Sequence, residues 1–166
     1  ISLDPYPIET DEIIVLSGLN DESLQRLSSS VTVIALDEIK RSSGQHFQTL
    51  IDQIPNLTWA GGTSRPRYFQ IRGIGERSQF VEPLNPSVGL IVDGVDLSGL
   101  AAAANLFDVQ QVEVLRGPRG TLYGANAMAG LINVVTPDAT EALSGSLQVD
   151  AGNYSALGAG GVFAGP

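Results

Sequence analysis

The chain has 166 residues, 43% of them hydrophobic, enough for one domain with its own core. A formal charge of -9 argues against nucleic-acid phosphate as a partner. The absence of cysteine excludes disulfides and thiolate metal sites.

The charge is uneven. Residues 1–59 hold nine acids against Arg26, Lys40 and Arg41, whereas residues 60–120 balance six acids with six cations, all of them arginine. Arginine suits fixed, two-pronged pairing with carboxylates, so this middle part is where ion pairs across a packed surface are expected; solvated surface pairs are the ordinary alternative. Gly120–Pro137 carries no charge and is long enough to consider as a membrane helix, but its glycines, two asparagines and closing proline argue against one. The chain opens at Ile1 without Met or an apolar signal region, as a mature form or an engineered piece would.

Residues 1–30 are polar, acidic and broken by Pro5 and Pro7, which reads as a largely mobile arm. Within it Asp11-Glu12-Ile13-Ile14-Val15-Leu16 is a short β-prone patch. Such a patch can add as a strand to a partner's sheet edge, or serve as an edge strand of its own domain. Val31–Ile34 reads as the first strand of the domain. Asp37 and Glu38 favour the first turn of a short helix, which Gly44 closes. Phe47, Leu50, Ile51 and Ile54 recur at helical spacing and mark one buried stripe, ended by Pro55. His46, the single histidine, has no partner in sequence and gets no catalytic or metal role.

Asn56–Trp59 is a strand candidate, and Gly61–Arg67 a loop carrying Arg65. Tyr68–Ile74 alternates like a strand, so Arg72 is expected to project from a rigid element beside Gly73. A charge on such a scaffold needs a partner, and Glu113 or Asp93 could supply one from within the domain. Glu76–Ser87 reads as a polar loop with Arg77, Gln79 and Phe80. Val88–Leu97 is apolar on both sides of Asp93-Gly94, a strong hairpin signal, which explains Asp93 better than a divalent-ion site shared with Asp96. Ala101–Phe107 reads as a link ending in a helical turn.

Val112–Leu115 is strand-like and stops at Arg116-Gly117-Pro118. A small-residue helix is expected from an N-cap at Thr121 through Met128, then a Gly130 cap and a strand over Leu131–Val135, a β-α-β unit. Its glycine-rich turn lacks the lysine and Ser/Thr spacing of a phosphate loop. Gly145–Asn153 alternates Leu147, Val149 and Ala151 with Ser146, Gln148 and Asp150, the apolar-out, polar-in pattern of a membrane barrel strand; an ordinary surface hairpin shares it. A turn at Asn153–Ser155 and a return strand over Leu157–Ala164 complete the hairpin.

Three stretches in this order, PRYFQIRGIG, VGLIVDGVDL and VEVLRGPRGTLYGANAMAGLINVVT, closely resemble the N-terminal plug domain of TonB-dependent outer-membrane receptors, the last being its hallmark segment. The resemblance covers about Val31 to Thr136. It implies an α+β fold, a small mixed β-sheet with short helices, organised as a mobile arm over 1–30, a plug over 31–138 and the first barrel hairpin over 139–166. The complete receptor would lie in the Gram-negative outer membrane, with the arm in the periplasm, and take up ferric siderophores or a similarly scarce, bulky nutrient. The resemblance further implies that Glu12, Ile13, Ile14, Val15 and Leu16 form the TonB box, which binds the TonB C-terminal domain. Arg72 and Arg116 would latch the plug to glutamates of its own β-barrel wall, supplied beyond Pro166. Trp59, Arg65, Arg77 and Phe80 are the candidates for substrate contact. No catalytic residue, metal or cofactor is expected. The competing readings are an excised piece acting as a soluble ligand-binding module and, far behind it, an enzyme built on the glycine-rich turn.

Overall fold

The computed structural model describes residues 13–15, 22–23, 30–42, 47–62, 65–77, 83–100 and 106–166. In chain order the elements are β1 (Ile14–Val15), β2 (Glu22–Ser23), β3 (Ser30–Ala35), α1 (Leu36–Arg41), α2 (Gln48–Ile51), β4 (Leu57–Ala60) and β5 (Tyr68–Ile71). They continue with β6 (Val88–Val92), β7 (Val95–Asp96), β8 (Gln111–Arg116), α3 (Gly120–Tyr123), β9 (Gly130–Val135), β10 (Ser144–Ala151) and β11 (Leu157–Ala164).

The centre is a five-stranded mixed sheet in the order β3-β8-β9-β6-β7. Only β6 and β9 run parallel; the other pairs are antiparallel. That parallel pair is buried on both faces, as its unbroken apolar runs require, with Val88, Leu90, Leu131, Ile132 and Val134 all covered. One face of the sheet carries the main core. There Val112, Val114, Ile132 and Val134 meet α1, α2 and the β4–β5 hairpin. The helical stripe lands as its spacing predicts, since Phe47, Leu50, Ile51 and Ile54 are all buried. Phe47 meets Phe69 of β5 edge to face, with ring centroids 5.4 Å apart. The other face has a smaller cluster, Ile91, Leu115, Ala127 and Leu131, with Val31 and Tyr123 against it.

Local chemistry accounts for most element ends. In α1 the acids Asp37 and Glu38 occupy the first turn and Lys40 and Arg41 the last, both favourable to the helix dipole. Asp93 and Gly94 form the expected two-residue hairpin turn, with φ of 47° and 81°.

Two expectations are corrected. The strand beginning at Tyr68 stops at Ile71, because Ile71 and Ile74 bridge across a tight turn at Arg72-Gly73. Arg72 therefore stands at φ 54° on an exposed turn and does not project from a strand. Its neighbour Gln70 is buried on the face expected to be polar. Second, Val112–Thr136 is no β-α-β unit: β8 and β9 are antiparallel neighbours. Their link holds one turn of α-helix, starting at Gly120 without a side-chain cap, and a 3-10 turn over Gly124–Asn126. Gly124, at φ 76°, ends the helix, well short of Met128. Gly130 is instead the first residue of β9, where a Cβ would lie 2.5 Å from the Leu115 carbonyl oxygen. His46, the expected closure at Gly44 and residues 101–105 of the expected link lie outside the described residues.

The chain ends in an antiparallel hairpin, β10 with β11, in unbroken register from Ser144↔Ala164 to Ala151↔Leu157. Leu147, Val149, Leu157 and Phe163 share one face and are exposed. The opposite face, with Ser146, Gln148 and Asp150, borders a cavity of about 470 Å³ whose far wall includes Ile39, Lys40 and Phe107. Gly160 takes the ring of Phe107 directly, since a Cβ there would lie 2.6 Å from it. The polar side of the hairpin thus lies against the domain and the apolar side away from it.

Candidate functional site

The arginines flagged by the sequence meet at one end of the sheet. Arg116 closes β8, and Gly117 beyond it turns at φ 107°. Nε and Nη2 of Arg116 both donate to the carbonyl oxygen of Pro55, at 3.2 and 3.1 Å. Nη2 also donates to Thr32 Oγ1 at 2.7 Å, and Nη1 more weakly to Ser30 Oγ at 3.4 Å. All four bonds end on uncharged groups. Burial, and then the charge of Arg72, pull the Arg116 guanidinium below its ordinary pKa. Two cations are therefore held close enough to repel; the Arg72 N–H donates to Asn56 O at 2.9 Å, which ties its turn beside the Pro55 carbonyl that Arg116 holds.

The carboxylates that could have answered them from within the domain hold other groups. Asp93 accepts from the backbone N–H and the hydroxyl of Thr136, both at 2.9 Å. Glu113, wholly buried, accepts from Gln111 Nε2 at 2.6 Å and from Asn133 Nδ2 at 3.2 Å. Burial and then the Glu113 charge raise the Tyr123 hydroxyl pKa, with Arg119 pulling the other way. Asp96 bonds a different set of groups from Asp93. It accepts from Ser98 N–H at 2.9 Å and Asn126 Nδ2 at 2.6 Å. Burial works against its ionisation, but the bonds from Ser98 and Asn126 prevail and its pKa lies below the ordinary value. Among the described residues no group of three or more histidine or carboxylate side chains is placed to hold a metal.

Of the arm residues singled out, Ile13, Ile14 and Val15 are described, and Glu12 and Leu16 are not. Ile14 and Val15 pair with Ser23 and Glu22, apart from the central sheet. Ile13 and Ile14 are 43% and 46% exposed, whereas Val15 is 1% exposed. Gln111 Nε2 reaches across to donate to the Ile14 carbonyl oxygen at 3.1 Å. Sequence reasoning missed Gln111 and took Glu113 only as a candidate partner for Arg72. The available signal was polar residues in a strand whose neighbours are apolar, with Asn133 equally out of place in β9.

The four substrate-contact candidates are spread out. Trp59 stands in β4 opposite Phe69 and is 38% exposed. Arg65 is exposed in the β4–β5 connection, which Arg67 N–H closes onto Ala60 O at 3.0 Å. Arg77 folds back on the Arg72-Gly73 turn, donating to Gly73 O at 3.1 Å. Phe80 lies outside the described residues. The loop that contains it is clasped at its base, where Glu76 accepts from the Ser87 N–H at 2.9 and 3.1 Å and from its hydroxyl at 2.8 Å.

A small mixed sheet with short helices, its apolar and polar faces both covered, and a two-faced hairpin beside it define a plug-type domain. The chain belongs to the TonB-dependent receptor plug family, whose profile, described as the TonB-dependent Receptor Plug Domain, matches residues 23–131. It is 33% identical over 157 residues to the pesticin receptor of Yersinia pestis, covering 81% of this chain and 23% of that protein. It is 27% identical over 157 residues to the vitamin B12 transporter BtuB of Vibrio vulnificus, covering 90% of this chain and 23% of that protein. Among solved structures it resembles the ferric yersiniabactin uptake receptor FyuA of Yersinia pestis, with TM-score 0.71 and 31% identity over 83% of this chain and 22% of that one. The ferripyoverdine receptor of the Pseudomonas aeruginosa outer membrane shares the fold at TM-score 0.67 and 16% identity, over 86% of this chain and 18% of that one. The chain therefore spans about a quarter of the length of the curated relatives it matches. Those relatives carry the names of receptors and transporters, not of enzymes.

Proposed function

We propose that this chain is the gate of a TonB-dependent active transporter of the Gram-negative outer membrane, taking up ferric siderophores or a similarly scarce, bulky nutrient. Membership of the plug family and the names of the siderophore and vitamin receptors it resembles support that reading. The observation that carries it is the hairpin. Its apolar side chains are bare and its polar ones face the domain, as a lipid-facing wall around a polar lumen requires. Two strands cannot close, so the rest of that wall belongs to other parts of the complete protein.

In this reading the arm over Glu12–Leu16 adds as a strand to the TonB C-terminal domain. Arg72 and Arg116, mutually repelling and bonded only to neutral groups where bonded at all, are suited to carboxylates of the barrel wall. Substrate settles over the loops Gly61–Arg67 and Glu76–Pro86, with Trp59, Arg65, Arg77 and Phe80 as its contacts. The test is deletion of Asp11–Leu16 from the complete receptor. Uptake of a ferric siderophore should be lost while its binding at the cell surface is unchanged. Uptake that survives the deletion refutes the role of the arm.

A further inference from the structure

The arm is not simply attached to the plug; one side chain reaches for it. Gln111 and Glu113 are two residues apart on β8 and so point to the same side of the sheet. Glu113 cannot move. It is wholly buried, and Asn133, its cross-strand partner in β9, donates to its second oxygen. Its first oxygen takes one N–H of the Gln111 amide at 2.6 Å, and Ile14 O takes Nε2 at 3.1 Å. An amide nitrogen with two hydrogens and two acceptors has its orientation fixed, oxygen side included. A buried carboxylate thus aims a hydrogen-bond donor at the main chain of a residue 97 positions away.

The group it holds matters for the arm. A strand-adding partner binds through main-chain N–H and C=O groups. On β1 one edge is occupied by Glu22–Ser23 and the Ile14 carbonyl by Gln111, while Val15 is the side chain set into the domain. We propose that Gln111, aimed by Glu113 and Asn133, is the positioning residue that parks the arm, withholding Ile14–Val15 from a partner's sheet edge until this contact opens. The assignment of that partner rests on the reading of Glu12–Leu16 as the TonB-binding segment; the parking contact itself does not.

The experiment uses the complete receptor in detergent, as wild type, Gln111→Leu and Gln111→Ser, two variants so that one poorly assembled form does not decide the outcome. Hydrogen exchange of the amides of residues 13–15 reports parking directly. Losing one such bond should speed their exchange about three- to tenfold, with the exchange of β8 and β9 and the affinity for substrate unchanged. The purified TonB C-terminal domain should bind the variants about three- to tenfold more tightly in the absence of substrate. Faster exchange with TonB contact in neither form keeps Gln111 as the parking residue and removes TonB as the partner. Exchange at residues 13–15 equal to wild type in both variants overturns the proposal, whatever TonB does.

Discussion

Replacing Arg116 by methionine keeps the apolar stem and removes the guanidinium, which separates the brace within the plug from any latch to the wall. Three acceptors lose a charged donor, and Pro55 O and Thr32 Oγ1 hold the stronger bonds, the one to Ser30 Oγ being long at 3.4 Å. Hydrogen bonds to charged groups contribute about 1.5–3 kcal/mol each, so the gross loss is about 3–6 kcal/mol. Relief of burying a cation near Arg72 offsets part of it, so the net loss lies toward the lower end of that range. The 166-residue chain has one tryptophan, Trp59, in the strand that follows Pro55, and its fluorescence follows urea unfolding at the affected place. With a denaturant slope of about 2 kcal/mol per molar, the midpoint should fall by about 1–2 M. Arg72→Met, on an exposed turn without such bonds, should move it by about 0.2 M or less. Equal midpoints for wild type and Arg116→Met would refute the brace and leave Arg116 with nothing to hold inside the plug.

Gly130→Val should lower the melting temperature by about 3–10 °C, because a side chain there meets the Leu115 carbonyl and Ile71 and overpacking costs about 1–3 kcal/mol; an unchanged calorimetric melt would mean that β8 and β9 separate at no cost. Asp96 has its carboxyl pKa below the ordinary 3.8, so its contribution to stability is present above that value and is lost as pH falls through the lower, folded one. Asp96→Asn should therefore flatten the fall in urea midpoint below about pH 4 and leave the slope near pH 7 as it was.

What the sequence disclosed was local. Asp93-Gly94 announced its hairpin because both conformations it needs are residue-specific, and the Phe47–Ile54 stripe was legible because spacing alone sets one helix face. The strand through Arg72 was overread: apolar alternation continues to Ile74, but the Arg72-Gly73 pair turns the chain, a conformation that arginine adopts only under constraint from its neighbours. The helix after Thr121 was overread for the opposite reason. Leu122, Ala125, Ala127 and Met128 favour helix, yet Gly124 offers an exit after one turn. The order of the central sheet and the Gln111–Glu113–Asn133 chain were out of reach, since both depend on which distant strands become neighbours. Glu113 entered the sequence reading only as a possible partner for Arg72, and its pairing with Asn133 shows that this face of the sheet is covered too.

The position of β3 bears on how a tug on the arm would be felt. β3 is the outermost strand on its side and has β8 as its single neighbour. Its first rung, Ser30↔Arg116, lies at the opposite end of β8 from Gln111, where Ile14 rests, about 17 Å away at strand spacing. Were a partner to draw the arm from the Ile14 side, the load would enter β3 at Ser30 and fold it back along its own strand, so rungs would rupture singly, in zipper fashion. The grip of Arg116 on Ser30 and Thr32 would then guard the opening rungs, the first to carry the load.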